Sequence, residues 1–408
     1  MNRARASRAA DRRAHAPAWR CGAAGTRART HAAMARGLLL PLLLLLAGCV
    51  GPRIHVVLDP PAAESTLPAC PIDRDAQRNV LLLSGGGADG AFGGGALSGW
   101  GASGTRPEFD VVTGVSTGAL QATFAFLGSG EDLLRHVYTR THSHDVLKRN
   151  NVLAPLFGAG LYRLTPLQQL LETLIDDAVL DEVADAHRKG RRLYVATTDL
   201  TYGRSVQWDL GAIAASGHPD RQARYIAILL ASSAAPGLIE PVLVQRDDGR
   251  ATFHADGATK APLLFERSML RDDCGQPTTV WIIANGHVSA EAVTESERAR
   301  TLPLMRRGVT QMVRHFLYAT VTTVAYRSRE AGADVRLLAI PDSTPEALDP
   351  FAFVPEEMRA LYATGFQLGA DPAAWRRFED IIEATPAPPY RATNRPCPQI
   401  TREACASP

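Results

Sequence analysis

Apolar positions along this chain fall into two patterns that take turns. Residues 79–84 and 111–113 are continuous apolar runs of strand length, as expected for strands buried on both faces of a parallel sheet. Residues 192–200, 204–209, 241–245, 251–254, 278–284 and 334–340 read as further strands. Tyr202-Gly203 and Asp247-Asp248-Gly249 carry turn chemistry and predict two hairpins. Between the strands the apolar spacing becomes helical: from Ala91, from Ala119, and over 127–140, 165–176, 180–188, 221–235, 302–329, 355–368 and 373–383. This alternation predicts a single α/β layer structure over 79–385, with no second domain and an irregular, proline-rich tail at 386–408.

Two breaks in the pattern carry chemistry. The run Val111-Val112-Thr113 stops at Gly114-Val115-Ser116-Thr117-Gly118 and resumes as a helix, which is the arrangement of a nucleophile elbow. Side chains at Gly114 and Gly118 would collide with the adjoining strand and helix, and Ser116 is left at a helix N-terminus that favours a partly anionic oxygen. The second break follows 79–84: Gly85-Gly86-Gly87-Ala88-Asp89-Gly90 sets free backbone N–H groups between a strand and a helix, an anion site. Gly85, Gly86 and Gly87 are the oxyanion-hole candidates. Downstream, the second hairpin delivers Asp256-Gly257-Ala258, where Asp256 is a candidate base and Gly257 completes a turn.

Other readings use the same residues. Gly85-x-Gly87-x-x-Gly90 also matches a dinucleotide fingerprint, with Asp110 at the distance of a ribose-binding acid. Asp110 precedes its strand, however, and that strand runs straight into the serine, so hydrolysis is favoured. A Ser-His-Asp triad would draw on His254 or His287, each at a predicted strand end. A non-catalytic, lipid-anchored binding protein is a third possibility. His142-Ser143-His144-Asp145 reads as a solvated loop, and no metal or other cofactor is expected.

In their order, Gly85 to Gly90, Gly114 to Gly118 and Asp256-Gly257-Ala258 resemble the patatin-like phospholipase family, and Ala231-Ser232-Ser233-Ala234-Ala235-Pro236 resembles that family's segment ahead of the acid. The resemblance spans roughly residues 79 to 265. It implies a three-layer α/β/α fold with a mostly parallel sheet, and a Ser–Asp dyad of Ser116 and Asp256 without a catalytic histidine. It further implies a lipid or acyl-ester substrate. One position departs: the family usually has Arg or Lys where this chain has Asp89.

Composition adds the setting. The chain has 408 residues, 46% of them hydrophobic, and a formal charge of +2. Residues 1–48 hold nine Arg and one Asp, so residues 49–408 carry 35 basic and 41 acidic side chains, a balance with no electrostatic footprint for nucleic acid. The apolar run 38–47 would span roughly 15 Å as a helix against about 30 Å of bilayer hydrocarbon, too short for an anchor. Arg36 before it and Leu46-Ala47-Gly48-Cys49 after it fit a secretory leader, with translation starting at Met34. Those four residues resemble the lipobox of bacterial lipoproteins. That resemblance implies cleavage before Cys49, its lipidation, and anchoring in the outer membrane, since Val50 replaces the aspartate that retains such proteins in the inner membrane. Residues 49–78 then read as a proline-rich tether. In an exported chain Cys70, Cys274, Cys397 and Cys405 are free to form disulfides, in any of three pairings.

Overall fold

The computed structural model describes residues 55–57, 77–150, 160–245, 249–270, 274–289, 301–344, 349 and 351–383. The leader 1–48, Cys49, Cys70, Cys397, Cys405, the tail 386–408 and most of the expected tether lie outside these residues. The strands are β1 (His55–Val57), β2 (Arg78–Leu83), β3 (Val111–Gly114), β4 (Lys148–Arg149), β5 (Tyr162–Arg163), β6 (Arg192–Asp199), β7 (Arg204–Asp209), β8 (Val242–Gln245), β9 (Ala251–Asp256), β10 (Thr278–His287), β11 (Asp334–Ile340) and β12 (Arg376–Arg377). The helices are α1 (Gly90–Ala102), α2 (Thr117–Leu127), α3 (Glu131–Arg140), α4 (Ser143–Val146), α5 (Thr165–Leu174), α6 (Asp177–Arg188), α7 (Leu210–Ala215), α8 (Arg221–Ser232), α9 (Thr301–Glu330), α10 (Pro355–Ala370) and α11 (Phe378–Glu383).

Ten strands form one mixed sheet in the order β1-β8-β9-β6-β3-β2-β10-β11-β12, with β7 also paired to β6. Its centre, β6-β3-β2-β10-β11, is parallel. Side chains alternate across it: Leu81, Leu83, Val112, Leu193 and Val195 enter a core shared with α1, α2, α6 and α8. Val80, Leu82, Val111 and Tyr194 enter a second core with Leu317, Val321 and Val324 of α9. Both faces are covered, which is why the central strands read as unbroken apolar runs. The architecture is three-layer α/β/α.

Several elements differ from the pattern reading. The helix expected over 127–140 begins at Glu131, because Gly128 and Gly130 take left-handed backbone at φ 72 and 87 and separate it from α2. The helix expected over 373–383 is broken: Trp375 packs on Trp100 at 4.4 Å between ring centroids, and Arg376–Arg377 is drawn into antiparallel pairing with β11. His142 to Asp145, read as loop, form the start of α4, whose Asp145 accepts the His142 N–H. Within the stretch read as a tether, His55–Val57 pairs in parallel with β8. Among the described residues no helix is long and apolar enough to cross a membrane.

Candidate active site

The strand register places the acid beside the serine. Gly114 at the end of β3 is level with Val195 of β6, and two residues further along β6 Thr197 faces Asp256 of the antiparallel β9. Two residues beyond Gly114 is Ser116. The elbow and the end of β9 therefore stand at one height with only β6 between them. A glycine at 114 is required, since a Cβ there would stand 2.6 Å from the Ala119 Cα, and at 118 it would stand 2.4 Å from the Leu83 carbonyl. The turn they permit leaves Ser116 at φ 54 and ψ −125, strain of about 1–3 kcal/mol that the surroundings must hold. Ser232 helps to hold it: its hydroxyl accepts the Ser116 N–H at 2.9 Å and donates to the Ala196 carbonyl at 2.7 Å.

The Ser116 hydroxyl donates to Asp256 Oδ2 at 2.6 Å, both residues being buried. Asp256 Oδ1 accepts the Ala258 N–H at 2.8 Å, and Gly257 passes so close to the Ala196 carbonyl that a Cβ would lie 2.5 Å from it. Burial pushes the Asp256 carboxyl up to about 6, against the opposing pull of the Ser116 and Ala258 hydrogen bonds. A carboxylate so tuned accepts a proton near neutral pH.

Neither candidate histidine hydrogen-bonds Ser116. His254 has Nδ1 against the Thr197 hydroxyl at 2.9 Å and Nε2 against the Thr252 hydroxyl at 3.0 Å, and burial lowers its pKa to about 4. His287 faces Asp342 at 3.8 Å. The dinucleotide alternative fails on position. Asp110 accepts the Asn79 N–H at 2.8 Å, at the start of β3 and the far end of the strand from the glycine loop.

In that loop the Gly85 N–H donates to the Pro262 carbonyl at 3.1 Å, which removes Gly85 from the expected set of oxyanion donors. Among the described residues no hydrogen bond takes up the N–H of Gly86 or Gly87. Gly87, at φ 60, lines a pocket together with Ser116. Asp89, the departure from the usual cation, occupies the N-cap position of α1, and Gly90 packs against Thr117.

One residue escaped the sequence reading. Asn285, at the end of β10, accepts the Gly93 N–H at 3.0 Å through its side chain and donates to the Ser84 carbonyl at 2.8 Å, while its own N–H reaches the Ser84 hydroxyl at 2.8 Å. Its carbonyl would lie 2.1 Å from a Cβ on Gly86. Asn285 thus clamps the glycine loop from both sides. Replacing it with alanine strands two buried polar groups at about 1–3 kcal/mol each. We expect Asn285→Ala to melt about 3–10 °C lower and to turn over about 10–100-fold more slowly. Parental turnover in the folded variant would show that the loop does not depend on this clamp.

From Ser116 and Gly87 the pocket extends between α2, α3, α5 and the start of α10. Leu120, Phe124, Leu167, Leu174 and Phe353 are among its almost wholly apolar walls. At its polar end Tyr138 shares a hydrogen bond of 2.9 Å with the Thr117 hydroxyl, and burial raises its pKa and keeps the phenol neutral.

The family model described as Patatin-like phospholipase matches residues 81–266, from β2 through the turn after Asp256. This part of the chain is similar to the patatin-like phospholipase family. The patatin-like region thus holds the elbow, the glycine loop and the acid, whereas Asn285 lies beyond it. No curated protein matches the chain. Among solved structures, the crystal structure of VipD from Legionella pneumophila is similar over 75% of this chain and 66% of that one, with 12% identity and a TM-score of 0.36. The chain therefore spans just under two thirds of that structure's length, and a likeness of this size carries no weight for the site.

Proposed function

We propose that the protein is a serine acyl hydrolase of lipid esters, with Ser116 as nucleophile and Asp256 as its general base. The observation that carries this is the 2.6 Å hydrogen bond from Ser116 to a buried carboxylate at the head of an apolar pocket. Ser116 Oγ attacks the ester carbonyl as its proton passes to Asp256 Oδ2, and the Gly86 and Gly87 N–H groups receive the oxyanion. The leaving alkoxide takes that proton from Asp256. Water then adds to the acyl-serine, giving up a proton to Asp256, and the fatty acid departs as Ser116 is restored.

The same reading places the enzyme outside the cytoplasm, held to the outer membrane through lipidated Cys49. Cys274 is disulfide-bonded, a state that an oxidising compartment sustains.

Chain length tests the pocket's part. Leu174 is half-buried on its wall, and Leu174→Trp narrows the space with little effect on the core. Losing room for two methylenes removes about 1.6 kcal/mol of binding, or roughly tenfold. We expect kcat/KM for a palmitoyl ester to fall by that factor while a butyryl ester is hydrolysed at the parental rate. Equal loss on both, or no loss on either, would place the acyl chain elsewhere.

A further inference from the structure

Where α3 gives way to α4, the fold gathers three side chains that the sequence presents as a solvated loop. One nitrogen or oxygen from each of His142, His144 and Asp145 lies within 4.8 Å of the other two. His142 Nδ1 stands 3.5 Å from Asp145 Oδ2, and His144 Nε2 stands 3.3 Å from Asp145 Oδ1. Both separations exceed the roughly 2.7–3.2 Å of an N–H···O hydrogen bond. They match instead the spacing of about 3.3 Å between neighbouring ligands on a tetrahedral ion whose bonds are about 2.0–2.1 Å long. The imidazoles stack, with centroids 5.2 Å apart and planes at 29°, which keeps their ring nitrogens near the same carboxylate. Asp145 Oδ2 accepts the His142 N–H at 2.8 Å, a contact that orients the carboxylate and leaves most of its lone pairs open. All three side chains are exposed, so water can fill the remaining positions around an ion.

We propose that His142, His144 and Asp145 bind a divalent transition-metal ion of the zinc type, which braces the wall of the apolar pocket. The donor set selects this class of ion. Two imidazoles and one carboxylate suit Zn²⁺, whereas Mg²⁺ and Ca²⁺ take oxygen ligands. The cluster's place in the fold gives the ion its effect. Thr141, Val146 and Leu147, on either side of the cluster, line the pocket. Ser143, between the two histidines, accepts the Phe353 N–H at 2.9 Å, and the Phe353 side chain stands on the same pocket wall. From the first turn of α10, Glu356 accepts from Arg359 at 2.7 Å and lies within electrostatic reach of His142. An ion held by residues 142, 144 and 145 therefore closes one turn into a chelate beside the start of α10. Its binding does not depend on the lipid-ester reading.

The test is calorimetric titration of Zn²⁺ into the full-length chain after treatment with a chelator, beside a variant that combines His142→Ala and His144→Ala. Histidines and cysteines elsewhere in the chain count equally in both proteins. The expected difference is therefore one equivalent of zinc, bound by the parent and lost in the variant. Asp145→Asn keeps an oxygen for the His142 N–H but loses the anionic ligand, and the affinity of this equivalent should fall more than tenfold. All the changes lie on exposed side chains, and circular dichroism reads the fold of each variant. Zn²⁺ at about a hundred times its Kd should raise the parent's melting temperature by about 3–6 °C more than that of the double variant. Equal zinc stoichiometry in the parent and the double variant overturns the proposal, as does Mg²⁺ bound at this position as tightly as Zn²⁺. An equivalent bound with no rise in melting temperature would mean that the unfolded chain binds it equally, so that the fold builds no site, and this too overturns the proposal.

Discussion

Ser116→Ala is expected to lower ester hydrolysis by about 10⁴- to 10⁶-fold, the range seen when a nucleophile that acts with its base as a unit is removed. The variant should keep its fold. Ser116 holds φ 54, a conformation that costs alanine and serine alike, and Ser232 continues to accept the backbone N–H. What disappears is the oxygen 2.6 Å from Asp256. Residual turnover above about a thousandth of the parental rate in a folded Ser116→Ala variant would mean that another group forms the covalent bond. Titrimetric release of fatty acid reads the activity, and circular dichroism the fold.

Asp256→Asn is expected to cost about 10³- to 10⁴-fold in turnover and to stabilise the protein at neutral pH. Both effects come from burial. The folded carboxyl titrates at about 6, above its ordinary value of 3.8. Between those values the folded chain keeps a proton that the unfolded chain has lost, so stability is full below about 4 and falls as pH rises to about 6. Above pH 6 the charged carboxylate costs on the order of 3 kcal/mol. Asparagine does not titrate, and its amide oxygen can still accept the Ala258 N–H. Its denaturation midpoint should therefore exceed the parent's at pH 7 to 8 and approach it near pH 4. Parental kcat/KM should rise through pH 6 to a plateau, because only the ionised base accepts the serine proton. A parent whose activity rises instead near pH 4, or an asparagine variant that is no more stable at pH 8, would contradict the assigned burial.

The sequence made the elbow and the acid legible because each depends on short-range constraints. Glycine at 114 and 118 relieves contacts with neighbours within a few residues or on the adjacent strand, and Asp256 stands in a local turn. What joins them is long-range. The height of Asp256 depends on β6 lying between β3 and β9, an order that no local pattern encodes. Asn285 escaped notice for the same reason, since its partners Ser84 and Gly93 are about two hundred residues away. Gly95 lies within the helix expected from Ala91, and its part in packing was not legible: it lets α10 approach α1, where a Cβ would stand 2.0 Å from the Tyr362 carbonyl. Tertiary packing likewise overrode helical spacing at Trp375, and the short α7 gave no periodic signal at all. Ser232 was visible as part of a small-residue segment, though its hold on the Ser116 backbone was not.

The pairing of Ser116 with Asp256 is tested most directly by the rate at which a fluorophosphonate modifies the protein, followed by peptide mass. The expected adduct lies on the peptide containing Ser116, forms faster as pH rises through about 6, and forms about a thousandfold more slowly in Asp256→Asn. An adduct on another residue, or one that forms at the parental rate in Asp256→Asn, would contradict it.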